Sequence, residues 1–490
     1  MDYIIIFIYS ISLLMIFIFS LGQLHLTWNY LKSKKKKDST RSALLSDTDL
    51  PRVTVQLPVY NEKYVAARLI DSVAKLNYPS HKLEIQILDD STDETYLIIR
   101  DKVAEYAGKG FDMVHLHRTE RTGFKAGALK NGLARVKGEL VAVFDADFMP
   151  DPDFLLHTVP YFHDPETGMV QTRWGHLNND YSLLTKLQAF GLDAHFTVEQ
   201  TGRSYAGSFI NFNGTAGIWR KKCIIDAGGW SADTLTEDLD LSYRAQMKGW
   251  KFKYLEDVVS PAELPVIMTA IKTQQYRWNK GAAETAVKNL GRVLRMPASK
   301  TTKIHAIFHL LNSSVFIPLL VAAVLSIPML YIKHSHPEFK TLFNIGSVFL
   351  IGFFSVGFFY WVAAKNIRRS KYSVYFLKYF PLFLSVSMGL SLHNALAVLA
   401  GLTGSKSAFI RTPKFNVISK MDSWKKNSYI IRKLSIITVL EGILGMYFLA
   451  GIIYGVMIND FGLIFFHIFL AVGVIMVFLY SVLSLGHAQT

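Results

Sequence analysis

Acidic side chains follow two short apolar runs in the N-terminal half of the chain. Asp89 and Asp90 follow the first of these runs, and Asp145 and Asp147 follow the second. Two carboxylates at positions i and i+2 after a strand can hold a hard divalent cation together with a diphosphate, because Mg²⁺ favours one or two carboxylates plus phosphate oxygens. Such a metal neutralises charge on a departing diphosphate. The pattern predicts metal-assisted group transfer at Asp145 and Asp147.

Two later segments carry side chains suited to a sugar substrate. In Thr236-Glu-Asp238, which precedes a helical pattern, Asp238 fits a general base that deprotonates an attacking hydroxyl; it equally fits a partner of the helix dipole. In Gln274-Gln-Tyr-Arg277-Trp278, the arginine can bind an anion and the tryptophan can stack on a sugar face. The same segment also fits a polar helix with one aromatic residue at a membrane boundary, so both readings stay open.

The elements that would position these residues alternate between strand and helix. Apolar runs at 52–57, 83–88 and 140–144 predict strands, with helical patterns between them, and Pro58 is expected to end the first strand. This alternation predicts an α/β fold with a mainly parallel sheet. In such sheets ligands bind at the carboxyl ends of the strands. We therefore expect one edge of the sheet to gather several carboxylates.

The amino-acid composition excludes several classes of protein. The 490 residues include 53 Lys and Arg against 38 Asp and Glu, a net charge of +15, with 19% charged and 50% hydrophobic residues. This balance excludes a disordered chain. The single cysteine, Cys223, excludes a disulfide scaffold and a Cys-clustered zinc site, and is expected to be a buried free thiol. No nucleic-acid partner is expected, since anchoring to an anionic lipid bilayer and phosphate binding explain the basic excess.

Five segments are nearly free of charge over the roughly 20 residues that a membrane-spanning helix needs. They are 3–28, 304–332, 341–364, 434–459 and 461–490. Lysines follow the first segment, so the positive-inside rule predicts that the residues after it are cytoplasmic. A cleaved signal peptide is disfavoured, because no positive charge precedes the apolar run. Glu441, in the fourth segment, either faces a wet cavity or snorkels to the interface.

A sixth apolar run, 373–403, has two interpretations. A single crossing would place the loop 404–433, with its eight basic residues, outside the membrane, against the positive-inside rule. We therefore expect an interfacial or re-entrant helix on the cytoplasmic face; a hairpin that enters and returns is the alternative. The predicted organisation is a transmembrane helix at 1–30, a basic and polar linker at 31–48, a cytoplasmic domain at 49–300 and a membrane domain at 301–490.

Taken together, the motifs resemble those of a family 2 glycosyltransferase of the processive, cellulose-synthase-like type. Two further stretches, Val170-Gln-Thr-Arg-Trp174 and Asn211-Phe-Asn-Gly-Thr-Ala-Gly-Ile-Trp219, resemble the mannan and glucan synthase branch of plants. Phe409-Ile-Arg-Thr-Pro-Lys414 resembles the gating loop of these synthases, although an arginine precedes Thr412 where the family usually has valine. Six motifs in family order carry the main resemblance: Leu57-Pro-Val-Tyr-Asn-Glu62, Asp89-Asp-Ser-Thr-Asp93, Lys125-Ala-Gly-Ala-Leu129, Asp145-Ala-Asp147, Thr236-Glu-Asp238 and Gln274-Gln-Tyr-Arg-Trp278.

The resemblance implies a GT-A fold and an inverting transfer of sugar from a nucleotide-diphosphate donor, UDP-glucose or GDP-mannose. The implied product is a β-1,4-glucan or β-1,4-mannan that is extruded across the membrane. Asp238 would be the general base with Glu237 beside it, and Asp145 and Asp147 would bind Mg²⁺ or Mn²⁺. The remaining implied roles are donor binding by Pro58, Tyr60, Glu62, Asp89, Asp90, Lys125, Asp145 and Arg277, acceptor binding by Gln274 and Trp278, and gating by Phe409, Arg411, Thr412 and Lys414.

Two other functions stay open at this stage. A non-processive transferase that adds one sugar to a lipid acceptor would share the aspartate motifs. A transport or scaffold protein with an inactive transferase domain is the second alternative, although every expected carboxylate is present. The choice between glucose and mannose depends on hydroxyl contacts that a sequence does not display. Oligomeric state, primer, protein partners and the choice between plasma membrane and Golgi are likewise undecided.

Overall fold

The computed structural model describes residues 1–35, 49–407, 409–425, 427–430 and 434–486. The linker expected at 31–48 and the loop expected at 404–433 therefore lie partly outside the described residues. Within them, seven strands form a single sheet. The strands are β1 Val53–Val59, β2 Leu83–Asp89, β3 Asp112–His117, β4 Leu140–Val143, β5 Thr167–His176, β6 Gly217–Arg220 and β7 Lys251–Ala262.

The same part of the chain contains eighteen α-helices. They are α1 Asp2–Lys35, α2 Ala66–Val73, α3 Thr95–Gly108, α4 Phe124–Leu133, α5 Phe154–Thr158, α6 Leu183–Ala194, α7 Gln200–Tyr205, α8 Lys221–Asp226, α9 Glu237–Met247, α10 Met268–Arg295, α11 Lys300–Leu310, α12 Phe316–Ser335, α13 Lys340–Gly346, α14 Leu350–Arg368, α15 Tyr372–Gly389, α16 Ser391–Leu402, α17 Ile436–Met457 and α18 Ile464–Gly486.

The sheet has the order β3-β2-β1-β4-β6-β5-β7. Strands β1 to β4 are parallel, β7 is parallel to β5, and β6 runs antiparallel to both of its neighbours. Every residue of β1, β2 and β4 is buried, as in sheets that helices cover on both faces. The predicted α/β fold with a mainly parallel sheet is confirmed.

Pro58 lies inside β1 and does not end it, so this expectation was wrong. Pro58 pairs with Leu88 of β2, but β4 pairs only with the first four residues of β1, up to Gln56. Beyond Gln56 the strand has a neighbour on one side only. A proline, which has no N–H to donate, is tolerated at such an edge-like position.

Five of the described helices are long and apolar enough to cross a membrane, in agreement with the predicted number. They are α1 at Asp2–Lys35, a segment Asn312–Ser335 that contains α12, a segment Pro337–Arg368 that contains α13 and α14, α17 at Ile436–Met457, and Ile464–Leu485 within α18. The run at 373–403, expected to be an interfacial or re-entrant helix, forms two helices, α15 and α16, which meet at an angle of 49°, as in a broken span or a re-entrant loop. Helix α16 packs along α10, and α15 packs along α18.

Glu441 faces the interior, where neither sequence interpretation had placed it. Its side chain is completely buried, and the Lys272 ammonium lies 2.5 Å from its Oε2. Lys272 also donates to the Thr438 hydroxyl at 3.2 Å. A buried carboxylate without a partner is very costly, so the lysine offsets a penalty of several kcal/mol. The ion pair connects α17 in the membrane domain to α10, the helix that carries Gln274, Arg277 and Trp278.

Candidate active site

A lysine from the start of α4 lies between the proposed metal-binding and base residues. Lys125 Nζ donates to Asp145 Oδ1 at 2.6 Å and to the Gly214 carbonyl at 2.8 Å. Gly214 in turn faces Asp238, since a Cβ added to it would lie 3.0 Å from Asp238 Oδ2. With a φ of +82°, this position favours glycine. Lys125, Asp145 and Asp238, which are far apart in the sequence, therefore meet around one glycine.

Glu237 and Asp238 occupy the first turn of α9, next to Lys125. Burial, reinforced by the adjacent Glu237 carboxylate, raises the pKa of Asp238 to about 7. Burial likewise raises the pKa of Glu237, against the opposing effect of Lys125. Burial alone would lower the pKa of Lys125, but Asp145 and Glu237 raise it. A carboxyl group that titrates near neutral pH is suited to accept a proton from a hydroxyl.

Asp147 has one carboxylate oxygen paired and the other unsatisfied. Lys414 Nζ lies 2.5 Å from Asp147 Oδ2, whereas Oδ1 is buried and has no hydrogen-bond partner. A buried carboxylate oxygen without a donor is unusual and calls for a ligand. A divalent cation held by Asp145 and Asp147 would satisfy this oxygen with the ligand type that Mg²⁺ and Mn²⁺ prefer. The residues present therefore fit such an ion.

Helix α10 brings three sequence-predicted residues to one face. Gln274, Arg277 and Trp278 have the i, i+3, i+4 spacing of neighbours on a helix surface, and all three are half-buried. The helix passes close to α9, since a Cβ on Gly281 would lie 2.6 Å from Thr236 Cγ2. The Arg277 guanidinium is attracted by Asp145 and three further carboxylates, and its Nε is buried without an acceptor. The arginine is thus placed to bind an anion.

The loop after α16 lies across this cleft. Arg411 Nη1 is 3.2 Å from Glu62 Oε1, and Thr412 Oγ1 accepts from Arg277 Nη2 at 2.9 Å. The Phe409 ring stacks on Phe124 with their centroids 5.2 Å apart. Burial raises the pKa of Glu62, and the loop residue Arg411 opposes this effect. Lys414 pairs with Asp147, as described above. All four residues expected in the gating loop therefore contact the cleft.

Two arginines beside the cleft were missed by the sequence motifs. Arg118 forms a two-pronged ion pair with Asp90, at 2.7 Å and 2.6 Å. The Arg121 guanidinium lies over the Tyr60 ring, 3.4 Å from its centroid. Both arginines follow β3 directly and precede α4. Because functional residues of parallel sheets follow the strand ends, this position was the signal that could have identified them.

Asp89 is set apart from Asp90. Its carboxylate is completely buried, and Oδ2 lies 2.8 Å from His115 Nε2 and 3.2 Å from His117 Nδ1. The backbone N–H of Ser91 donates to Oδ1 at 2.8 Å. Burial alone would raise the pKa of Asp89, but hydrogen bonds from His115 and Ser91 lower it. Adjacent aspartates of one motif therefore face different partners, Asp90 an arginine and Asp89 two histidines.

Comparison with known proteins identifies relatives of this arrangement. Residues 51–292 match the family described as Glycosyltransferase like family 2. The chain is 37% identical over 410 residues to Glucomannan 4-beta-mannosyltransferase 1 of Oryza sativa subsp. japonica, covering 78% of this chain and 73% of that protein. It is 38% identical over 386 residues to Glucomannan 4-beta-mannosyltransferase 2 of Arabidopsis thaliana, covering 76% of this chain and 68% of the relative.

A solved structure shares the fold. The chain resembles the mannosyltransferase PcManGT from Pyrobaculum calidifontis, determined in complex with GDP-Man and Mn²⁺, with a TM-score of 0.56 and 19% sequence identity. The match covers 81% of this chain and 100% of that one. At this level of identity the likeness concerns the fold.

Proposed function

We propose a function for this chain, which belongs to glycosyltransferase family 2. It transfers mannose or glucose from a nucleotide-diphosphate sugar to a growing β-1,4-linked mannan or glucan. The observation that carries this proposal is the meeting of Lys125, Asp145 and Asp238 around Gly214. This meeting supports the proposal because an ammonium group and two carboxylates are the groups that a metal-assisted transfer with a general base would use. The relatives named as glucomannan 4-beta-mannosyltransferases favour mannose as the transferred sugar.

The donor would be bound by the groups at the carboxyl ends of the strands. Asp145 and Asp147 would hold Mg²⁺ or Mn²⁺, which when bound supplies Lewis-acid stabilisation of the departing diphosphate. Lys125 and Arg277 would add fixed positive charge near the same phosphates, where charge develops as the diphosphate departs. The nucleoside would lie near Asp90 and Tyr60, with Pro58 and Glu62 shaping that end of the cleft.

Asp238 would supply the proton acceptor. The hydroxyl of the terminal acceptor sugar gives its proton to Asp238 Oδ2, and the oxygen attacks the anomeric carbon of the donor. The new carbon–oxygen bond forms on the face opposite the breaking bond to the diphosphate, so an α-donor gives a β-linked product. Trp278 and Gln274, on the same face of α10 as Arg277, would hold the acceptor sugar by stacking and hydrogen bonding.

The loop at Phe409–Lys414 would control access to this cleft. Lys414 pairs with Asp147, and Arg411 pairs with Glu62, so movement of the loop would free both carboxylates for interactions with metal and donor. The catalytic domain would lie on the cytoplasmic side, where the lysine-rich C-terminal end of α1 is expected. The polymer would then leave through the membrane helices next to α10.

A parallel transfer assay tests the proposal. Purified protein in lipid would receive radiolabelled GDP-mannose or UDP-glucose with Mn²⁺ or Mg²⁺. Insoluble label that a β-1,4-mannanase or β-1,4-glucanase releases is expected with one donor. The Asp238→Asn variant should abolish it, whereas the matched control Asp233→Asn, an exposed aspartate five positions upstream, should not.

Other outcomes would refute the proposal. Label confined to a lipid product of fixed size would show a single transfer to a lipid acceptor. Transfer that survives in Asp238→Asn would remove the assigned base. Absence of transfer from both donors, with intact binding of the nucleotide, would favour an inactive domain.

A further inference from the structure

A second cluster of metal-ligand side chains lies outside the proposed catalytic centre. His115 and His117 alternate along β3, so both rings project from the same face of the sheet. Asp89 is the residue of β2 in register with His117. The ligand atoms of the three side chains all lie within 4.8 Å of one another. Backbone pairing alone therefore brings two imidazoles and one carboxylate together.

We propose that Asp89, His115 and His117 form a binding site for a transition-metal ion of the Zn²⁺ class, distinct from the pair Asp145 and Asp147. Two nitrogen donors and one carboxylate oxygen suit Zn²⁺, Co²⁺ or Ni²⁺, whereas an oxygen-only pair suits Mg²⁺ or Mn²⁺. Three protein ligands leave a fourth tetrahedral position for water. The inference does not depend on the proposed transferase reaction.

The two separations from the Asp89 carboxylate fit an ion with small adjustments. Zn²⁺ bonds of about 2.0–2.2 Å to nitrogen and oxygen set tetrahedral ligands about 3.3–3.5 Å apart. The present separations from Asp89 Oδ2 are 2.8 Å to His115 Nε2 and 3.2 Å to His117 Nδ1. Opening these two separations by a few tenths of an ångström, with each ring in the tautomer that presents an unprotonated nitrogen, would bring them into that range. Ser91 already orients the carboxylate through Oδ1, the role that an outer hydrogen-bond partner plays in metal sites.

The cluster is also accessible from one side. Strand β3 is at the edge of the sheet, and the His117 side chain keeps 30% of its surface exposed while Asp89 keeps none. An ion could therefore enter past the His117 ring, where the Tyr96 ring lies 4.8 Å away by centroids. A bound ion would link β2 to β3. Its ligands Asp89 and His117 directly precede Asp90 and Arg118, which form the ion pair at the proposed nucleoside end of the cleft.

Metal binding can be measured directly on the full-length protein. The chain would be purified without a polyhistidine tag, stripped with a chelator, and titrated with Zn²⁺ against a chromophoric competitor in the presence of millimolar Mg²⁺. We expect one equivalent of bound Zn²⁺, and with Co²⁺ the visible absorption of a tetrahedral nitrogen–oxygen site. His117→Ala should weaken binding by on the order of 100-fold or more, since even outer-shell changes cost 10–100-fold.

Two matched variants make the result specific. His81→Ala, the same change at an exposed histidine, should retain the bound Zn²⁺, and so should Asp147→Asn, which alters the other proposed metal site. Failure of the unaltered protein to bind a Zn²⁺ equivalent would overturn the inference, as would undiminished binding by His117→Ala. Thermal melting of both histidine variants distinguishes loss of the site from loss of the fold.

Discussion

Replacing Glu237 by glutamine should move the pH dependence of sugar transfer toward acid. Asp238 must be ionised to act as a base, and its pKa is raised from 3.8 to about 7. That rise corresponds to about 4 kcal/mol at 1.36 kcal/mol per unit. Burial is the first cause and the Glu237 charge the second. Wild-type activity should therefore fall as the pH drops below about 7.

The size of the shift follows from the charge that is removed. A like charge at about 6 Å and an effective dielectric constant of about 20 contributes roughly 3 kcal/mol, but Glu237 carries only part of that charge because burial raises its own pKa. We expect the acid limb to move down by about one pKa unit. At pH 6 the ionised fraction of Asp238 would then rise roughly fivefold, from about a tenth to about a half.

The assay measures initial rates of polymer synthesis between pH 5 and 9 at fixed ionic strength and saturating Mn²⁺. The quantity compared at each pH is kcat/KM for the donor. Glu166→Gln, the same change at an exposed ion pair with Lys251, is the matched control and should leave the profile in place. An acid limb that stays at the wild-type position in Glu237→Gln would refute the electrostatic argument. Loss of activity at every pH would show that Glu237 acts on the substrates directly.

Three further outcomes are expected. Lys414→Met should tighten Mn²⁺ binding to the donor-free protein on the order of tenfold, about 1.4 kcal/mol, because no ammonium then competes for Asp147. Electron paramagnetic resonance of free Mn²⁺ measures this affinity, and the control Lys414→Arg should change it little. Lys272→Met should lower the free energy of unfolding by about 3–5 kcal/mol, because it leaves Glu441 charged and unpaired. In thermal melting, the double variant Lys272→Met with Glu441→Leu should regain the stability that Lys272→Met alone loses. Gly214→Ala should slow single-turnover transfer at least about tenfold, because a Cβ would lie 3.0 Å from Oδ2 of Asp238, the proposed general base, and the left-handed backbone costs about 1–2 kcal/mol. An unchanged rate would contradict the proposed role of Asp238.

The residues that line the cleft were largely identifiable from strand ends and motifs. Glu62 and Asp145 follow parallel strands, and both lie at the same edge of the sheet in the structure. Strand type and strand ends can be read locally, because side-chain alternation and apolar runs have short periods. The roles of these residues in donor and acceptor binding stay predictions until the variants above are measured.

The partners of those residues could not be read locally. Nothing in the sequence around Asp147 indicates that Lys414, on a loop 267 residues away, would occupy its carboxylate. The same holds for Glu441 and Lys272, which are 169 residues apart. The insertion of antiparallel β6 between β4 and β5 is equally invisible, because β6 has the sequence Gly-Ile-Trp-Arg and is not the continuous apolar run that β4 is.

The fold class, the number of membrane-length apolar helices and the carboxylates available for chemistry were predictable from the sequence, because each depends on residue type and spacing over a few turns or strands. Which charges neutralise one another, and which carboxyl group has a pKa near neutral, became visible only in the folded chain. Those properties depend on burial and on ionic groups brought together from distant segments, and both arise only when the chain packs.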